Sequence, residues 1–270
     1  MTENKAKFWW SQSISGKAWV VLFNLIILMA FPSNSGGAEV NMLSRSLKKV
    51  RPATWGVALF RKKPGELRIE FAGTGFFVSP IYFVTSAHVI NPEPPISPRG
   101  PSDEIRIYWP DPDKEEDILQ SPIMQIAHVD EERDVAVLKA PFKSKSFVAI
   151  RFDSFNDGES VAMYGYPGAT GVKNRVQAFG RANAGIVSMQ TRKGPMELIE
   201  TNITANPGNS GGPLFLVNSG EVVGIQKGEI FIGETGKLLT GYSMSVSIRA
   251  LQDVLAKLGV ISQNKGKGKR

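Results

Sequence analysis

A serine framed by glycines and one histidine behind a small-residue approach are the residues whose types could make a nucleophile and its base. The serine stands in Asn206-Pro-Gly-Asn-Ser-Gly-Gly-Pro-Leu214. A serine hydroxyl attacks poorly at neutral pH unless a base takes its proton and donors meet the oxyanion that forms. Glycines beside Ser210 let the backbone turn sharply and keep the approach to the hydroxyl open. The N–H groups of Gly208 and Ser210 can then point at one developing charge. Taken alone, the stretch also reads as a Gly-rich turn with an incidental serine.

A base that titrates near neutral pH is a histidine, and the chain has two, His88 and His128. His88 ends Thr85-Ser-Ala-His88, directly after a predicted strand. His128 lies in the alternating stretch Ile126-Ala-His-Val-Asp130 and reads as a strand or surface residue. The third partner is a carboxylate that fixes the tautomer of the base and stabilises its imidazolium. Asp134 opens Asp134-Val-Ala-Val-Leu-Lys139 and is the candidate; Asp130 is its rival, and either could be a plain turn former. The order His, Asp, Ser along the chain is that of the chymotrypsin triad, not that of α/β-hydrolases.

Composition removes other chemistries. With no cysteine among 270 residues, disulfides, thiol catalysis and Cys-ligated metals are excluded, and two histidines leave little for a multi-His zinc site. No cofactor and no metal are expected. The net charge of +7 could suggest nucleic acid, but +2 of it lies in residues 1–38 and +4 in residues 261–270, which leaves +1 for the body. A nucleic-acid footprint needs a basic face on the fold, so none is expected.

The elements that must position these groups are strands. Short runs at residues 54–60, 67–71, 75–78, 82–85, 105–108 and 135–138 are followed by similar runs at 160–164, 184–187, 197–200, 214–217, 222–225 and 242–246. Several alternate apolar and polar residues, with Gly and Pro between runs. Many short strands with little helix imply barrels or sandwiches. Residues 91–104 hold five prolines and read as an irregular loop, and 111–117 as an acidic turn. Ile248, Leu251, Val254, Leu255 and Leu258 recur at helical spacing, with Gly259 where a C-cap belongs. Residues 259–270 read as a basic tail.

At the other end, three lysines precede an apolar run of 14 residues, Ala18 to Phe31, and small residues follow to Ala38. This describes an export signal cut before Glu39. The run is short of the roughly 20 residues a spanning helix needs, so a cleaved leader is preferred to an anchor. The expected location is extracytoplasmic, with membrane association if the segment is retained.

Gly73-Thr-Gly-Phe-Phe-Val78, Thr85-Ser-Ala-His88, Asp134-Val-Ala-Val-Leu-Lys139, Gly165-Tyr-Pro167, Gly185-Ile-Val-Ser188 and the Ser210 motif together resemble the trypsin-like domain of the HtrA/Deg family. The likeness runs over about residues 55–258. It implies an all-β fold of two six-stranded antiparallel barrels with a C-terminal helix, the first barrel over about 50–155 and the second over 156–247. It also implies an oxyanion hole from the backbone of Gly208, Asn209 and Ser210. By the same resemblance, the pocket for the residue before the scissile bond has Thr204 at its base and Met244 and Val246 on its walls, which favours Ala, Val or Leu there. Asn209 departs from the aspartate that zymogens of this fold use to bind a freed N-terminus, so activation by pro-peptide cleavage is not expected. No PDZ domain is expected after the closing helix. The implied activity is hydrolysis of peptide bonds in unfolded or loosely folded proteins. A peptide-holding chaperone or sensor and an esterase on the same fold are the alternatives.

Overall fold

The computed structural model describes residues 35–63, 66–92, 98–109, 116–117, 120–168, 170–172, 175–177, 179–232 and 237–262. The expected leader falls outside these residues up to 34, as does the tail from 263. The chain divides into two compact units, residues 1–39 and 40–270. The described part of the first is the opening of helix α1 (Ser35–Val50), so the expected cut before Glu39 would fall inside that helix.

Helix α1 is absent from the strand-based reading. Its signal is the helical spacing of Leu43, Leu47 and Val50, which pack against the large apolar cluster of the second unit. Ser46 Oγ donates to the Val217 carbonyl at 2.8 Å, and Lys49 Nζ to that of Ser219 at 3.0 Å. Lys48 and Lys49 stand in the last turn, where the helix dipole favours cations.

The first sheet runs in the order β4 (Glu104–Tyr108), β1 (Thr54–Lys63), β2 (Glu66–Phe77), β3 (Tyr82–Thr85), β7 (Val135–Lys139), β6 (Gln125–Asp130), every pair antiparallel. The residues before β6 return to β4 through an Arg106–Ile123 bridge and a bond from Met124 N to the Ile105 carbonyl at 2.8 Å. Runs 67–71 and 75–78, expected as two strands, are the one strand β2. Glycines interrupt its apolar pattern where neighbours approach closely, and this disguises its length. Trp55, Phe77, Phe83 and Phe142 meet edge-on or tilted within this barrel's core, at centroid separations of 5.0–5.9 Å.

The second sheet closes fully: β11 (Arg181–Lys193), β12 (Met196–Thr201), β15 (Lys237–Ser247), β14 (Val222–Ile232), β13 (Pro213–Leu216), β8 (Ser160–Gly165) and back to β11. A small sheet of β5 (Glu116–Asp117), β10 (Arg175–Gln177) and β9 (Thr170–Val172) stands apart. Alternation sorts the closed barrel into two faces. Val161 and Met163 of β8 join Ile199, Leu214, Leu216 and Val223 in one cluster. Ala162 and Tyr164 join Phe215, Ile225, Val246 and residues of the first sheet in another. Both faces of these strands are therefore buried, which is why they read as nearly continuous apolar runs. Burying each such Val, Leu, Ile or Phe side chain contributes about 1.5–3 kcal/mol.

The closing helix forms as a 3-10 turn at Ile248–Leu251 leading into α3 (Gln252–Lys257). Leu251 and Leu255 sit in the shared cluster. Gly259, at φ +71°, ends the helix as its position suggested, with Val260 N bonded to the Leu255 carbonyl at 2.9 Å.

Candidate active site

Strand β3 delivers His88. The chain leaves β3 at Thr85 and turns into the one-turn helix α2 (Ala87–Ile90), whose second residue is His88. The turn between β6 and β7 delivers Asp134, with φ at +57°, the one non-glycine residue with positive φ among those described. Asp and Asn tolerate this region better than most residues. The turn aims the carboxylate at α2. Asp134 Oδ1 accepts from the His88 backbone N–H at 3.0 Å, and both carboxylate oxygens lie 2.9 Å from His88 Nδ1.

Burial pushes the Asp134 carboxyl up, but the His88 hydrogen bond and the charges of His88 and Lys227 outweigh it. Its pKa is held below the ordinary carboxylate value. With Nδ1 turned to Asp134, the neutral ring presents Nε2 as its basic nitrogen. Asp130, the rival carboxylate, is instead tied into its own turn. It accepts from Arg133 N and Arg133 Nη1, both at 2.9 Å. His128 lies on β6 and lines a separate polar groove of about 370 Å³ with Asp130, Arg133 and Arg249.

The serine loop is held by the first barrel. Thr74 N donates to the Ser210 carbonyl at 2.8 Å, and Thr74 Oγ1 donates to the Gly208 carbonyl at 2.7 Å while accepting from Tyr166 N at 3.0 Å. The close approach explains Gly73: a Cβ there would meet the Ser210 carbonyl oxygen at 2.8 Å and a Val89 methyl at 2.8 Å. Gly208 sits at φ +98°, and a Cβ there would lie 2.5 Å from the Tyr166 carbonyl oxygen.

Strand β14 passes behind both loops. The Gln226 carbonyl accepts from Gly211 N at 2.7 Å and from Ser86 Oγ at 3.1 Å. Ser210 Oγ donates to the Lys227 carbonyl at 3.2 Å, while Lys227 Nζ lies 2.8 Å from Asp134 Oδ2. Thr74, Gln226 and Lys227 were not singled out from sequence. Thr74 stood inside a quoted motif, whereas nothing local marks Lys227.

Of the expected oxyanion-hole residues, Asn209 donates its N–H to the Asn206 carbonyl at 3.0 Å, within the loop. Val246, expected on a pocket wall, is fully buried in the cluster with Leu198, Ile225 and Leu255. Met244, two residues away on the same face, packs against that cluster. The intervening Ser243 and Ser245 face the other way. Ser245 Oγ donates to Gln226 Oε1 at 3.0 Å, and Ser243 Oγ lies 3.2 Å from Thr201 Oγ1. Thr204, expected at the pocket base, is exposed.

Two six-stranded antiparallel sheets, with a His–Asp pair carried by the first and a glycine-framed serine by the second, define the chymotrypsin-like class of fold. The crystal structure of the Rv3671c protease from M. tuberculosis, active form, shares this fold with a TM-score of 0.60 at 19% identity, covering 79% of this chain and 84% of that one. A family model for the trypsin-like peptidase domain matches residues 73–225, and the chain belongs to that family. Among curated relatives, it is 33% identical over 192 residues to a probable periplasmic serine endoprotease DegP-like of Pseudomonas savastanoi pv. phaseolicola, covering 69% of this chain and 34% of the relative. It is 28% identical over 230 residues to serine protease HTRA1 of Xenopus tropicalis, covering 81% of this chain and 43% of the relative. The HtrA-type resemblance is thereby borne out. The chain spans less than half the length of these relatives.

Proposed function

We propose that the chain is a serine endopeptidase in which His88, Asp134 and Ser210 act as the triad. The observation that carries this is the double approach of Asp134 to His88 Nδ1, at 2.9 Å from each oxygen, on the same strand-anchored frame that holds the Ser210 loop. In this reading Ser210 Oγ attacks the scissile carbonyl carbon and passes its proton to His88 Nε2. Asp134 holds the ring tautomer and stabilises the imidazolium. The N–H groups of Gly208 and Ser210 receive the oxyanion. His88 then protonates the leaving amine, and a water deprotonated by the same ring hydrolyses the acyl-enzyme.

The substrates are unfolded or loosely folded polypeptides, because a cleft of this kind takes an extended segment that folded proteins rarely present. A protease name on both relatives supports this reading. The periplasmic name of one relative and the apolar 18–31 run support action outside the cytoplasm. Among the described residues, no helix is long and apolar enough to cross a membrane.

Labelling with a fluorophosphonate, followed by peptide mapping, tests the assignment. The label is expected on Ser210 and is abolished in Ser210→Ala, together with cleavage of denatured casein. A protein that binds denatured casein but neither takes the label nor cleaves it is a peptide holder, which overturns the reading.

A further inference from the structure

Lys227 places its ammonium on the outer oxygen of Asp134, while its own backbone carbonyl accepts the Ser210 hydroxyl. Resting on the triad reading above, we propose that Lys227 is a positioning residue that acts through Asp134, locking the carboxylate against His88 and drawing off part of its charge.

Geometry carries the case. The Asp134 side chain is 6% exposed and that of Lys227 is 39% exposed, so the pair joins a buried carboxylate to a cation rooted at the barrel surface. Oδ2 is shared between two partners, Lys227 Nζ at 2.8 Å and His88 Nδ1 at 2.9 Å, while Oδ1 also holds the His88 backbone N–H. Rotation of the carboxylate would break all of these contacts at once. Strand β14 fixes the backbone of Lys227, because Gln226 just before it bonds to both the His88 and Ser210 loops. One residue therefore sets the position of the nucleophile by its carbonyl and of the orienting carboxylate by its side chain.

The charge has a direction. The charge of the Lys227 ammonium and its hydrogen bond both favour the ionised Asp134 carboxylate. Among the described residues, two further charged groups lie near this corner. Glu131, from the turn before β7, lines a cavity of about 170 Å³ beside His88 and accepts from Asn91 Nδ2 at 2.6 Å. Arg133 is turned away to Asp130.

The test follows the Asp134 carboxyl carbon by NMR against pH in the full chain, with Asp134→Asn to assign its signal. Wild type is compared with Lys227→Met, Lys227→Gln and Lys227→Arg. In the Met and Gln variants the Asp134 midpoint is expected to move to higher pH, because the ammonium that helps hold it down is gone. kcat should fall in the same two variants, and KM should change little. Lys227→Arg should restore the wild-type midpoint. A Lys227 that served only as scaffold would lower kcat at every pH and leave the midpoint in place or move it down; that result, or failure of Arg to restore it, overturns the proposal. The NMR readout needs no turnover, so failure of the triad reading shows separately, as loss of fluorophosphonate labelling at Ser210 in wild type.

Discussion

Thr74 donates from its hydroxyl to the carbonyl of Gly208 at 2.7 Å, and this bond ties the first barrel to the loop that carries Ser210 in the second. The same oxygen accepts from Tyr166 N, so the hydroxyl bridges two segments that flank the serine. Thr74 is fully buried, and water cannot replace the bonds it makes.

Thr74→Val keeps the shape and removes both bonds. The buried Gly208 carbonyl and Tyr166 N–H are left without that partner, at a cost of about 1–3 kcal/mol. The serine loop should loosen, and kcat should fall by about tenfold or more while KM changes less. Urea unfolding and steady-state kinetics on a peptide substrate check both parts. A variant with wild-type kcat would show that the bridge does not control the nucleophile.

Asp134 and Asp130 should behave oppositely. Asp134→Asn disturbs the His88 tautomer and should lower kcat by roughly 10⁴. Asp130→Asn removes a surface ion pair worth no more than about 1 kcal/mol and should leave turnover nearly unchanged. Kinetics on the two variants decides, and the reverse ranking would move the orienting role to the other turn.

The same carboxylate gives a stability signature. Its pKa is depressed in the folded state, chiefly by the His88 bond and the charges of His88 and Lys227 working against burial. Its contribution is therefore complete above the unfolded value of about 3.9 and is lost as pH falls through the lower folded value. Wild type should exceed Asp134→Asn in stability near pH 5, and the margin should shrink below about pH 4. Urea unfolding at each pH measures it. A margin independent of pH down to the acid transition would contradict the depressed value.

Gly208→Ala should strain the loop without unfolding the protein. A positive φ costs a non-glycine residue about 1–3 kcal/mol, and the new Cβ would press on the Tyr166 carbonyl. Relief of that contact turns the Gly208 N–H, one of the two proposed oxyanion donors. Loss of such a donor costs about 10²–10³ in kcat. Fluorophosphonate labelling rate and thermal melting together separate the two effects.

Val246→Ala tests which face of β15 meets the substrate. The side chain fills core, so truncation should cost about 1–3 kcal/mol. The residue preferred before the scissile bond should stay as in wild type when cleavage sites in a denatured protein are mapped by mass spectrometry. A changed preference at unchanged stability would return Val246 to the pocket.

How far the sequence reached can be argued from β15. Its existence was legible because Met244 and Val246 alternate with Ser243 and Ser245. Which face meets substrate was not, because a period of two gives the same pattern for either face. The apolar pair looked like pocket walls, yet the outer face of this barrel is buried against the first sheet and α3. The serines carry the hydrogen bonds of the inner face. Helix α1 was missed for another reason. Its spacing is helical, but it follows directly on a leader-like run that drew the reading toward export.

His88 and Ser210 were singled out by the sequence alone, because only two histidines exist and only one serine has glycines on both sides of its loop. Motif order and the Gly73-Thr-Gly run were enough for the family and the all-β class. The sequence put Asp134 forward over Asp130, but the contacts that distinguish the two are tertiary. Both precede or end a strand, and only the fold shows one carboxylate turned to α2 and the other closed on Arg133. Lys227 needed it entirely. It lies 93 positions from Asp134 on an unremarkable strand, and their 2.8 Å contact exists because two barrels close on one another. Local chemistry is written in neighbouring residues, while an ion pair between distant strands is decided by how sheets twist and pack.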